Sequence, residues 1–122
     1  MRKLFAVIAV VPVLTAVAVS GASADDPPVH AAATRTIELG DNFFKPKAVT
    51  VKKGTVLRFV WGPNNSGTTV EHNVTGVKGN TFKSTPDTTR PAAPFRKRIT
   101  KTTSIVCTIH ATTMKLKVTV KN

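Results

Sequence analysis

The chain has 122 residues and carries 18 Lys and Arg against six Asp and Glu, a formal charge of +12. It is too short for two ordinary domains, and its single cysteine, Cys107, excludes an intramolecular disulfide and leaves a lone thiol to be explained. The basic balance favours an acidic protein partner first and a membrane or cell-wall surface second. No aromatic-rich basic motif supports nucleic-acid binding, so no nucleic-acid partner is expected.

Met1-Arg2-Lys3 is a basic start, Leu4 to Val19 is an apolar run interrupted by Pro12 and Thr15, and Ala22-Ser23-Ala24 has the small-x-small pattern of a cleavage site. Together they predict a secretory signal peptide over residues 1–24. An uncleaved anchor is the alternative, but the run is short for a span and contains a proline. Cleavage removes 24 of 122 residues and leaves 98, near the size of a β-sandwich. Arg2 and Lys3 go with the signal, so 16 Lys and Arg remain against six acids, a formal charge of +10. The expected location is exported, periplasmic or extracellular, as a monomer with no integral membrane span after cleavage. Residues 25–33, with Pro27-Pro28 and an alanine run, read as a flexible leader. His30 falls there and is not counted as a ligand.

From Thr34 to Asn122 the pattern predicts one all-β domain. Thr34 to Leu39 places Ile37 and Leu39 on one face. Ala48 to Lys52 turns Val49 and Val51 inward, and Lys53-Gly54 supplies a turn. Thr55 to Trp61 alternates Leu57, Phe59 and Trp61 against Val56, Arg58 and Val60, and Gly62 to Gly67 is a loop. Thr69 to Val77, Phe95 to Thr100 and Ser104 to Cys107 read as further strands. Gly79 to Pro94, with three prolines, reads as a long surface connection. Lys115 to Lys121 closes the chain, with Leu116, Val118 and Val120 inward and lysines and Thr119 outward, and suits a central or protected position. Period-two alternation marks strands with one buried and one wet face. Several short strands between turn signals imply a sandwich or barrel, and no window has helical spacing with caps.

The chemistry concentrates near the C-terminus. Cys107-Thr108-Ile109-His110-Ala111-Thr112-Thr113-Met114 is C-x2-H-x3-M between two predicted strands, and Glu71-His72-Asn73-Val74 stands upstream. Cys107 is the only cysteine, Met114 the only methionine besides the initiator, and His72 and His110 the only histidines inside the predicted domain. Taken singly, each is better explained as structure: a small buried thiol, a hydrogen-bonded histidine, a core methionine. Taken together, two imidazoles, a thiolate and a weak axial thioether form the blue-copper donor set. A loop joining two neighbouring strands can return three side chains to one point, and His72, from another strand, closes the other side.

On these residues, and on Asn42-Phe43-Phe44-Lys45-Pro46, Val49 to Gly54 and Val56 to Trp61, the chain resembles the plastocyanin-like and amicyanin-like cupredoxins, over Thr34 to the end. The resemblance implies an eight-stranded or similar Greek-key β-sandwich with one copper ion at one end. It implies His72, Cys107 and His110 as equatorial ligands, Met114 as the axial one, and a hydrogen bond from the Asn73 backbone N–H to the cysteine sulfur. It also implies a His110 near the surface, with an apolar patch beside it where partners dock. Three features depart from the family: three residues between His110 and Met114, Ala111 where short-loop relatives have proline, and Thr103-Ser104-Ile105-Val106 leading into Cys107 without the usual Gly and Tyr. None removes a ligand.

The expected function is one-electron transfer with a redox partner protein of acidic surface. Copper storage or delivery without electron transfer is the alternative that uses the same donors. An enzyme is not expected: three histidines are too few for a trinuclear copper cluster, and neither a Ser-His-Asp set nor a carboxylate pair is apparent. A metal-free adhesion sandwich survives only if Cys107 is inert.

Overall fold

The computed structural model describes residues 32–122; the signal-peptide reading over 1–24 and nearly all of the leader lie outside them. Eight strands follow in order: β1 (Thr34–Gly40), β2 (Phe43–Lys45), β3 (Ala48–Lys52), β4 (Thr55–Trp61), β5 (Thr75–Lys78), β6 (Phe95–Ile99), β7 (Thr103–Val106) and β8 (Lys115–Lys121). They form two four-stranded sheets, β2-β1-β4-β6 and β3-β8-β7-β5. β1 pairs with β4 in parallel, as β3 does with β8; the other pairs are antiparallel. The only helical pieces among the described residues are 3-10 turns at Pro63–Asn65 and Thr108–His110. No described helix is long and apolar enough to cross a membrane.

The alternation read from the sequence is what packs the two sheets. Ile37, Leu39, Leu57, Phe59 and Trp61 from one sheet meet Val49, Val51, Ile105, Leu116 and Val118 from the other, all buried, with Phe44, Val74 and Ile99 completing the core. Burying each such side chain contributes about 1.5–3 kcal/mol. The last strand is central, between β3 and β7, which is why its lysines guard only its outer face. Gly54 turns β3 into β4 at φ 90°, a left-handed conformation that glycine adopts without strain.

Two segments differ from the sequence expectation. The strand predicted over Thr69–Val77 forms only as β5 from Thr75. Its first half leaves the sheet because its amides go elsewhere: Thr69 and Val70 donate to the Asp41 carboxylate, His72 to the Thr88 carbonyl, Asn73 to Cys107 Sγ and Val74 to Thr85 Oγ1. Backbone donors satisfied this way have no neighbouring strand to pair with. Conversely, β2 is a strand of three residues against β1, too short to show alternation in the sequence.

Strand directions define two ends. The turn after β1, the turn after β4 and the Cys107–Met114 loop gather at one. The β3–β4 turn, the β6–β7 turn and the last residues of β8 gather at the other, joined by Lys53 N–H to Lys121 O and Gly54 N–H to Ile99 O.

Candidate metal centre

Cys107 follows β7 and is extended, at φ −90° and ψ 119°, before the chain tightens into the turn Thr108–His110. The loop closes on itself. His110 N–H donates to Cys107 O, Met114 N–H to His110 O at 2.8 Å, and Cys107 N–H to Met114 O at 3.1 Å. With β7 and β8 paired antiparallel from Val106–Lys115 onward, the eight-residue return from Cys107 to Met114 is a wide hairpin end. It buries Cys107 and Met114 fully and leaves His110 half-buried.

His72 comes from the other side, fully buried in the stretch between β4 and β5. Its Nδ1 lies 3.9 Å from Cys107 Sγ, and His110 Nδ1 lies 3.7 Å from the same sulfur. The three donor atoms all fall within 4.8 Å of one another, and the two imidazoles are 5.0 Å apart at 52°. Bonds of ~2.0 Å to nitrogen and ~2.3 Å to sulfur at a trigonal angle separate the donors by ~3.7 Å. The observed nitrogen–sulfur separations are at that value, and long for hydrogen bonds. This is a donor set of the kind that takes copper.

The surroundings fix these side chains. The Asn73 backbone N–H reaches Cys107 Sγ at 3.4 Å. The Asn73 amide donates to Asp87 Oδ1 and Thr108 Oγ1, both at 2.7 Å, while its carbonyl oxygen accepts from the Thr108 N–H at 2.9 Å and the Thr75 hydroxyl at 3.1 Å. One side chain thus ties the His72 stretch to the Cys107 loop. Trp61 Nε1–H donates to the His72 carbonyl at 3.3 Å. On the far side of the ring, His72 Nε2 faces Asp41 Oδ1 at 3.5 Å. A carboxylate there favours the tautomer with its proton on Nε2 and leaves Nδ1 free as a donor to metal. Burial lowers the His72 pKa from its ordinary 6.5, against the opposing pull of Asp41, and so favours the uncharged ring. Hydrogen bonding by the Thr69 side chain, then by Val70, His72 and the Thr69 backbone, holds Asp41 below the usual carboxylate value.

All four residues singled out by the sequence lie in or beside this centre. His72, Cys107 and His110 converge, and Met114 is buried at the end of the same loop, bonded through its backbone to both Cys107 and His110. Asp41 and the Asn73 side chain were not singled out. Asn73 follows a candidate ligand, a signal available in the sequence. Asp41 carries none, because a loop 31 residues away supplies it.

Comparison with solved structures gives the architecture its name. The described domain has the cupredoxin fold. A purple cupredoxin from Nitrosopumilus maritimus is similar with a TM-score of 0.55 at 16% identity, over 70% of this chain and 98% of that one. A mutant plastocyanin of fern gives 0.54 at 20% identity, over 71% and 100%. A reduced auracyanin from Roseiflexus castenholzii gives 0.55 at 21% identity, over 76% and 100%. No protein-family profile matches the sequence, and neither does any curated protein. The cupredoxin fold is thus carried here by a sequence far from these relatives, and the candidate centre sits in it between the β7–β8 loop and the stretch leading to β5.

Proposed function

We propose that the protein is an exported copper protein that carries single electrons and performs no catalysis of its own. One copper ion is held by His72 Nδ1, Cys107 Sγ and His110 Nδ1, with Met114 as a weak axial donor. The observation that carries this is the convergence of three scarce donor side chains on one point, at separations a common metal ion accounts for. Copper supplies a Cu(II)/Cu(I) couple whose potential the axial donor and the bonds to sulfur tune. The chain's own part is to hold the donors still. Cys107 is pinned by the loop closure and the Asn73 N–H, and His72 by Trp61, Asp41 and Thr88. A rigid donor set suits a change of oxidation state without rearrangement, and this favours electron transfer over copper storage or delivery.

His110 is the half-buried ligand, and the exposed Phe43, Val70 and Ile109 lie around the same end. This apolar rim is where a redox partner docks. Lys45, Lys47 and Lys115 border it and suit an acidic margin on that partner.

The test is titration of the purified exported protein with Cu(II), followed by absorption spectroscopy and voltammetry. One equivalent is expected to give intense visible absorption and a reversible one-electron wave with fast self-exchange. A colourless protein overturns the copper centre. A coloured one that passes its metal to an acceptor without reversible cycling overturns the carrier in favour of delivery.

A further inference from the structure

Cations lie at both ends of the domain, but the carboxylates are gathered at one. The four carboxylates among the described residues are Glu38, Asp41, Glu71 and Asp87. Asp41 contacts His72, Glu71 precedes it, Asp87 accepts from Asn73, and Glu38 pairs across to Lys45 and Val60. All four therefore belong to the end that holds Cys107. The opposite end carries Lys52, Lys53, Arg98, Lys101 and Lys121, all exposed, and no described lysine or arginine forms an ion pair with a described carboxylate. Lys52 lies directly across from Lys121 in the β3–β8 pairing. Like charges set side by side at one end cost stability unless something opposes them.

That end is also concave. A pocket of about 480 Å³ is lined by Lys52, Lys53, Gly54, Thr55, Arg98 and the first two described residues, Ala32 and Ala33. Arg98 Nη1 donates to Gly54 O at 3.3 Å, which ties the guanidinium to the turn that lines the pocket. Val56 N–H donates to Ala33 O, so the polypeptide enters the sandwich in the pocket wall.

We propose that the end of the domain away from Cys107 rests on a membrane surface bearing anionic phospholipids, a headgroup phosphate seating against Lys52, Lys53 and Arg98, so that the opposite end points away from the bilayer. A lipid surface suits this end better than a protein does. Protein interfaces need an apolar centre, and of the four large exposed hydrophobics Phe43, Val70 and Ile109 lie at the other end. Charged lipid headgroups need none, and each cation near such a surface raises binding about five-fold. The proposal does not rest on the metal reading, since no proposed ligand takes part.

The test uses the exported protein, sedimented with phosphatidylcholine vesicles and with vesicles containing about one third phosphatidylglycerol. Binding is expected to the second only, and to fall steeply between about 0.05 and about 0.3 M salt. The triple variant Lys52→Glu, Lys53→Glu, Arg98→Glu is expected to lose roughly a hundred-fold in partition, while Lys45→Glu, Lys47→Glu, Lys115→Glu keeps most of it. Amine labelling of the wild-type protein, which needs no variant to fold, is expected to show vesicles protecting Lys52, Lys53, Lys101 and Lys121 but not Lys45, Lys47 and Lys115. Uniform protection, equal losses in both triple variants, binding to polyglutamate but not to vesicles, or no binding to anionic vesicles overturns the proposal.

Discussion

The Cys107–Met114 loop and the Thr69–Val74 stretch face each other across the candidate centre and are held by opposite means. The loop is closed by its own backbone, through bonds among Cys107, His110 and Met114. The stretch has almost no local bonds. Its amides and side chains reach Asp41, Thr85, Asp87, Thr88 and Cys107, from three other parts of the chain. Two proposed ligands and the axial candidate come from an arm whose shape is encoded in eight consecutive residues, and the remaining proposed ligand from an arm whose shape exists only once the sandwich has formed. A centre built this way depends on local sequence for its strong donor and on the whole fold for its closure.

The comparison can be broken most severely at the donor both arms surround. Cys107→Ser replaces a thiolate with a hydroxyl and is expected to remove all intense visible absorption from the copper-loaded protein, read by Cu(II) titration. Next comes the side chain that joins the arms. Asn73 is buried and its amide group makes four hydrogen bonds to other residues, so Asn73→Ala is expected to cost about 2–4 kcal/mol in denaturant unfolding. Thr113→Ala is the matching change on the self-closed arm. It removes one exposed 3.5 Å contact and is expected to stay within about 0.5 kcal/mol. Equal losses in the two variants would end the distinction between the arms.

Asp41→Ala removes the carboxylate behind His72 and the acceptor of two amides. It is expected to weaken copper binding by about ten-fold, measured by competition with a chelator, with the colour kept. The mildest change is Met114→Leu. It is expected to retain copper and colour and to raise the reduction potential, because losing a thioether donor disfavours Cu(II) more than Cu(I). Loss of colour in this variant would make Met114 a principal ligand rather than a weak one.

The same asymmetry explains what was legible in the sequence. Strands such as β4 and β8 stood out because their inward residues alternate within one run, and the Cys107–Met114 loop because its donors are neighbours. His72 was visible as a scarce residue, but the conformation around it was not. Thr69–Val74 has the composition of a strand, and only the distant acceptors that claim its amides keep it out of the sheet. Asp41 was not singled out, since nothing near it in sequence discloses that His72 lies against it. Tertiary partners chosen across 31 residues leave no periodic trace.

Trp61 was described above as a hydrogen-bond donor to the His72 carbonyl, buried under the centre. It is also the chain's only tryptophan, and there is no tyrosine to confuse its signal. The intrinsic fluorescence of this protein therefore comes from a single dry indole one hydrogen bond away from a proposed ligand residue. Its emission is expected to report the state of the centre without any label: blue-shifted while the sandwich is intact, dimmed as Cu(II) arrives, and restored when the metal is reduced or withdrawn.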